Sequence, residues 1–376
     1  MGVTFLKRIL SLAAALVLAC AIAMPAHAQQ PAVGASCAVL MDAGSGRMLY
    51  AKAPHQHRLI ASITKLMTAL VAAERIPDVD REVEIRAEWL GSEGSSIYLT
   101  AGEHITVRGL LYGLLLQSGN DAAMALACHT AGDMGTFVGW MNARAAELGM
   151  ENTHFANPSG LNAEDHYSSA YDMALLARAC LENELVAEIC AARSAAVGTR
   201  TFYNHNKLLT RYPGCIGMKT GYTEKAGRTL VSAARREGQT LICVTLNDPN
   251  DWDDHTRLLD FGFSAYPARA LCEAGESFGS VPISGSLVPS TAVLAKETVS
   301  YPLGAEETVT METELPPALT APVSAGQPVG RVVWYLNRSP IAETELVCAA
   351  SVAADRSEKI PLWQRLLDWF RTKAAG

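Results

Sequence analysis

Strand-forming segments stand at both ends of a long helical stretch in this chain, and that arrangement restricts how it can fold. Ala38 to Met41 and Arg47 to Tyr50 read as strands joined by the turn-forming run Asp42-Ala43-Gly44-Ser45-Gly46. Arg228 to Ala234 and Thr240 to Leu246 read as antiparallel strands turning at Glu237-Gly238. Between them lie helical patterns such as Ala61 to Glu74, where Ile63, Leu66, Met67, Leu70 and Val71 recur at helical spacing. Strands flanking a helical middle fit an α/β class, a helix and antiparallel-sheet sandwich.

Three short motifs are spread over this framework in a fixed order: Ser62-Ile63-Thr64-Lys65, Ser118-Gly119-Asn120 and Lys219-Thr220-Gly221. A serine three residues before a lysine arises by chance about once in a chain of this size, so the first motif alone decides little. Its setting adds weight. In the first turn of the expected helix Ser62 and Lys65 lie roughly 60° apart, close enough to meet beside the buried stripe. A serine hydroxyl needs a neighbouring base, and lysine serves as one only if burial or a second cation lowers its pKa. Lys219 is the candidate second cation, and the N–H of Ser62 at the helix start is a candidate donor to an oxyanion.

The second motif follows the apolar run Leu110 to Leu116 and precedes a helical stretch from Asp121 to Thr130. Two short polar side chains there can point into a cleft, although a helix cap by Ser118 or Asn120 fits the same residues. The third motif is expected to begin the closing meander as an edge strand. Such an edge can receive a peptide, with Lys219 and Thr220 meeting a carboxylate and Gly221 allowing close backbone approach.

The ordered set resembles the penicillin-recognising serine enzymes, and most closely the low-molecular-weight penicillin-binding proteins that are D-alanyl-D-alanine carboxypeptidases. Supporting stretches are Ala61 to Thr68, Gln117 to Ala122, Phe155 to Leu161, Ser169 to Ala177 and Gly217 to Gly227. The resemblance implies a β-lactamase/transpeptidase-like fold and removal of the terminal D-alanine from peptidoglycan stem pentapeptides. It assigns Ser62 as nucleophile, Lys65 as base, Ser118 as proton shuttle and Asn120 as positioning residue. Lys219 and Thr220 would bind the terminal carboxylate beside Gly221, and the N–H groups of Ser62 and Tyr222 would form the oxyanion hole. Many relatives carry histidine where Tyr222 stands, a minor departure for a main-chain contribution. β-Lactam antibiotics are the implied inhibitors, and no cofactor is implied.

Composition agrees with an exported enzyme. Lys7 and Arg8, an apolar run from Ile9 to Met24 and Ala26-His27-Ala28 before Gln29 read as a secretory signal over 1–28. Val17-Leu18-Ala19-Cys20 resembles a lipoprotein processing site, but apolar residues continue beyond it. The formal net charge is -7 and becomes more negative once Lys7 and Arg8 are removed, which argues against a nucleic-acid partner. The remaining cysteines, Cys37, Cys128, Cys180, Cys190, Cys215, Cys243, Cys272 and Cys348, are scattered through apolar segments. They read as small core residues rather than disulfide pairs, and the unclustered histidines predict no metal site.

The catalytic domain is expected over 29–268. From 271 to 355 the pattern changes to short alternating stretches separated by Pro and Gly, including Thr291 to Leu294, Thr308 to Glu312, Arg331 to Leu336 and Glu343 to Val347. These predict a small β-sandwich. Over 358–376, Leu362, Trp363, Leu366, Leu367, Trp369 and Phe370 fall on one helical arc of about 160°, with Gln364, Arg365, Asp368 and Arg371 opposite. Such a helix suits peripheral contact with a membrane on the outer face of the cytoplasmic membrane, in the cell wall or in the periplasm; packing on its own domain is the other reading.

Two rivals remain. A β-lactamase of the common class needs a glutamate that activates the deacylating water, with asparagine soon after it; Glu164 is the nearest candidate, but Ser168 stands four residues on. An idle cell-wall-binding protein would use the β-rich domain and the terminal helix instead.

Overall fold

The computed structural model describes residues 30–355. The signal read at 1–28 and the amphipathic segment at 358–376 lie outside the described residues. Residues 30–268 with Pro302–Ala305 form one compact unit, and Arg269–Tyr301 with 306–355 a second.

In the first unit β1 (Cys37–Asp42) and β2 (Met48–Lys52) join β9 (Gly227–Arg236) and β10 (Gln239–Leu246) in one antiparallel sheet, ordered β2-β1-β10-β9. The far edge of β9 is shared in succession by β7 (Cys215–Gly217) and β8 (Thr220–Thr223). Every residue of β1 is buried, because both faces are covered. Cys37, Val39 and Met41 point into the main core with Val231, Ala233, Ile242 and Val244. Ala38 and Leu40 face the other way, toward Leu258 and Leu259 of the last helix of this unit. Alternation along one strand thus serves two cores.

The helices are α1 (Lys65–Arg75), α2 (Val107–Leu116), α3 (Asn120–Ala131), α4 (Met134–Glu147), α5 (Ala170–Glu182), α6 (Glu184–Ala191), the single turn α7 (Leu208–Arg211) and α8 (Asp251–Ala265). Their starts are set by side chains: Thr106, Asp133, Ser169 and Asn183 each accept a hydrogen bond from a backbone N–H in the first turn of the helix they precede. Two small antiparallel pairs, β3 (Glu82–Glu84) with β4 (His104–Thr106) and the hairpin of β5 (Ser194–Val197) with β6 (Arg200–Tyr203), were not legible from periodicity. One helix differs from expectation. The segment from Ala61 to Glu74 is not a single α-helix: Ala61–Thr64 is a 3-10 turn, and the α-helix begins only at Lys65.

The second unit is all β. Its main sheet runs β15 (Val309–Glu314), β17 (Pro328–Leu336), β18 (Ser339–Cys348), β13 (Ser290–Ala295), β12 (Ser277–Ser284), β16 (Leu319–Thr320), beside a pair made by β11 (Ala268–Cys272) and β14 (Val299–Pro302). Val281, Val293, Val332, Trp334 and Leu346 form its core.

Candidate active site

The 3-10 turn is held from both sides. Ala61 is buried with φ of 51°, and Gly160, at φ +86°, packs so tightly that a Cβ there would lie 2.0 Å from the Ala61 carbonyl oxygen. Only glycine tolerates both the space and the dihedral. Within the turn Thr64 Oγ1 donates to Ala61 O at 2.8 Å and lies 2.8 Å from His166 Nε2. His166 Nδ1 accepts from the Ala156 N–H at 3.1 Å, so Nε2 carries the proton and donates to Thr64. Burial pushes the His166 pKa down to about 4, which keeps this brace neutral.

Residues three apart eclipse in a 3-10 turn, and the turn therefore stacks Ser62 over Lys65 more directly than an α-helix would. Ser62 Oγ and Lys65 Nζ are 3.0 Å apart. Lys65 Nζ also donates to Asn120 Oδ1 at 2.7 Å and to the Ser159 carbonyl at 2.6 Å. The amine is fully buried, and its pKa is held well below the usual lysine value by burial first and by the charge of Lys219 second, with Asp121 opposing. A neutral amine has two N–H donors and one lone pair. The two carbonyl oxygens can only accept, so they take both donors and leave the lone pair to the one partner with a proton to give, the Ser62 hydroxyl.

Asn120, the first residue of α3, is oriented by donation from Nδ2 to the Glu93 carbonyl, while its own N–H donates to Ser95 O at 2.7 Å. Asp121 continues the clamp. Its buried carboxylate accepts from Ser96 Oγ at 2.6 Å, Ile97 N at 3.0 Å and Leu99 N at 3.0 Å, laying residues 93–99 along the motif. Ser118 is buried in the left-handed region, φ 62°, and its hydroxyl has no hydrogen-bond partner among the described residues. Backbone strain of this kind survives where neighbours over-determine it.

Ser159 owes its position to Asn157, whose Oδ1 accepts from Ser159 N at 3.2 Å and Gly160 N at 2.8 Å. Pro158 O accepts from Thr68 Oγ1 at 2.6 Å, tying the same loop to α1. Glu164, farther along it, is exposed on a turn, and none of the hydrogen-bond partners of Lys65 is a carboxylate.

Lys219 reaches this site from the sheet edge. Its N–H and C=O exchange hydrogen bonds with Val231 at 3.0 and 2.9 Å, and Nζ donates to Thr220 O at 2.9 Å. Burial lowers its pKa to about 8. Two residues on, Gly221 faces Thr229; a Cβ there would lie 2.4 Å from Thr229 Oγ1 and 3.0 Å from the Ser62 nitrogen. β8 therefore runs against the 3-10 turn. Because Lys219 is the hydrogen-bonded partner of Val231, the alternate position Tyr222 turns its N–H away from β9. Its side chain is exposed and Thr220 is half-buried.

Ser62, Lys65 and Asn120 are thus in direct contact, Gly221 abuts Ser62, and Lys219 acts on Lys65 through its field. Sequence reasoning assigned no role to Asp121, Ser159 or His166. An acidic residue directly after the second motif and the turn-forming Asn157-Pro158-Ser159-Gly160 were the available signals.

Comparison with known proteins points to one family. A family profile described as D-alanyl-D-alanine carboxypeptidase, peptidase S11, matches residues 24–250, and one described as penicillin-binding protein 5, C-terminal domain, matches 266–354. The chain is 31% identical over 355 residues to D-alanyl-D-alanine carboxypeptidase DacF of Bacillus subtilis, covering 90% of this chain and 91% of that one. It is 34% identical to DacD of Salmonella typhimurium, covering 92% of each. Among solved structures, penicillin binding protein 5 from Haemophilus influenzae superposes with a TM-score of 0.72 at 30% identity, covering 86% of this chain and 99% of that one.

Proposed function

This chain belongs to the D-alanyl-D-alanine carboxypeptidase family and is a serine-type D-Ala-D-Ala carboxypeptidase, and from that premise we propose that its acyl-enzyme forms on Ser62. Lys65, as the neutral amine, takes the Ser62 proton while Oγ attacks the carbonyl of the penultimate D-alanine of a peptidoglycan stem pentapeptide. The N–H groups of Ser62 and Tyr222 receive the developing oxyanion. Lys219 and Thr220 hold the terminal carboxylate, Asn120 positions Lys65, and Ser118 passes the proton to the departing D-alanine nitrogen. Water then releases the shortened peptide, and a β-lactam traps the same serine.

The observation that carries this assignment is the set of three Lys65 partners, two obligate acceptors and one hydroxyl. The test is D-alanine release from a pentapeptide ending in two D-alanines, with covalent labelling by a fluorescent penicillin. Ser62→Ala is expected to lose turnover by at least about a thousandfold and to lose the label; a variant that still labels covalently refutes the assignment. Rapid β-lactam hydrolysis without D-alanine release would favour the β-lactamase reading instead.

The chain is further read as exported, with cleavage after Ala28, and held at a membrane surface by its C-terminal segment. Among the described residues no helix is long and apolar enough to cross a membrane, and contact through the amphipathic arc would be peripheral. A mature N-terminus other than Gln29 would correct the cleavage site.

A further inference from the structure

The β-rich unit exposes two large aliphatic side chains side by side at one place, the tip between β12 and β13. Leu287 is 90% exposed and Val288 45%. The tip is not slack. Ile283 N donates to Pro289 O at 2.9 Å across its base, Val288 N donates to Ser286 Oγ at 3.2 Å, and Gly285 supplies a φ of +75°. Two further bonds tie it to the end of the described chain: Leu287 N donates to the Asp355 carboxylate, and Asp355 N donates to Gly285 O at 3.0 Å. The polypeptide therefore leaves the β-rich unit at the apolar tip.

The sequence beyond Asp355 is chemically unlike the unit it leaves. Residues 356–376 carry five basic side chains against two acidic ones, whereas 269–355 carry four basic against ten acidic. The apolar arc of Leu362, Trp363, Leu366, Leu367, Trp369 and Phe370 begins just after Pro361, six residues beyond Asp355 and so within about 20 Å of the tip even if fully extended. An acidic unit is repelled by an anionic lipid surface, so any contact it makes there has to be apolar and close to the basic segment.

We propose that Leu287 and Val288 form a second lipid-contacting element, entering the same membrane interface as the C-terminal segment; this rests on the reading of that segment as membrane-associating. The tip is preorganised, so little ordering cost opposes insertion. Two contacts on one chain also act together, each raising the local concentration of the other at the surface.

The test uses the full mature chain and vesicles of phosphatidylethanolamine and phosphatidylglycerol. Leu287→Ser with Val288→Ser is expected to weaken vesicle binding roughly tenfold, the effect of losing partial burial of two aliphatic side chains. Hydrolysis of a soluble pentapeptide should be unchanged. A polarity-sensitive dye on Leu287→Cys should shift to the blue on vesicle addition and be quenched by spin-labelled acyl chains. Vesicle binding by the double-serine variant equal to the unaltered chain overturns the proposal, and loss of binding in Trp363→Ser with Trp369→Ser would then leave the C-terminal reading standing. A dye already shielded without lipid and insensitive to acyl-chain quenchers overturns it too, because the C-terminal segment then covers the tip. Failure of the unaltered chain to bind vesicles refutes both readings together.

Discussion

On the proposed mechanism the chemistry turns on one amine, Lys65, whose protonation is set by burial and by two neighbouring charges: burial and Lys219 lower its pKa, and Asp121 raises it. If the neutral form is the working base, as proposed, the acidic limb of kcat/KM reports this group. Lys219→Gln removes a repelling charge, so the amine holds its proton to higher pH and the limb should move to the alkaline side. Asp121→Asn should move it the opposite way. Profiles of penicillin acylation against pH measure both, and shifts of equal sign would contradict the assignment. Lys219 has its own limit. With its pKa near 8, the cation is present below that pH and lost above it, so carboxylate binding should fail first on the alkaline side. KM for the pentapeptide is expected to rise above pH 8 while kcat at saturation holds, and a fall confined to kcat would exclude carboxylate binding as the role of Lys219. Ser62, Lys65, Asn120 and Lys219 were singled out in the sequence because the expected chemistry dictates their types, whereas the supporting side chains of Asp121 and His166 were not. The site's carbonyls were not legible either: the Ser159 and Glu93 oxygens are main-chain atoms that any residue could supply, and only the long-range fold brings them to Lys65 and Asn120.

Among the elements, the 3-10 turn at Ala61–Thr64 is the one that sequence periodicity could not distinguish from an α-helix. The apolar spacing of Ile63, Leu66 and Leu70 fits both, and the choice was made by a residue almost a hundred positions away, Gly160, lodged against Ala61. Gly160→Ala should therefore lower stability by at least about 2 kcal/mol, from a left-handed dihedral plus a backbone collision. It should also slow acylation at Ser62 by about tenfold or more, since the displaced carbonyl belongs to the preceding residue. Gly149→Ala is the control. That glycine follows α4 at φ +74° with nothing within 4 Å, so only the dihedral cost of roughly 1 kcal/mol applies and acylation should be unaffected. Urea midpoints and the rate of fluorescent-penicillin labelling separate the two, and equal behaviour would remove the turn from the mechanism. The closing strands were legible because Glu237-Gly238 marks their hairpin, as were the helices around the second motif. The β5–β6 hairpin was not, since its strands are four residues each and alternate weakly, and it is secured from outside by Arg200, which donates to Ile97 O at 3.2 Å and Tyr98 O at 3.0 Å.

At the scale of the whole molecule, the apolar interior divides cleanly. Among the described residues, the buried side chains of the first unit's core clusters lie between Ala35 and Phe261, and those of the second unit's between Cys272 and Val352. Cores that share no side chain can lose packing separately, so the units are expected to unfold as distinct cooperative blocks. Trp334 offers the sharpest probe. It is 3% exposed in β17 and meets Phe278 edge to face, with centroids 6.2 Å apart. Trp334→Ala should cost about 3–5 kcal/mol, a large share of the roughly 4–13 kcal/mol that holds together a unit of this size. The second unit should then melt early and be cleaved readily by a protease. None of the groups around Lys65 draws on that core, and the penicillin acylation rate should stay within about twofold of the unaltered chain. Parallel loss of acylation and protease resistance would mean that the units fold as one, and that the β-rich part braces the reaction site as well as carrying the lipid-facing tip.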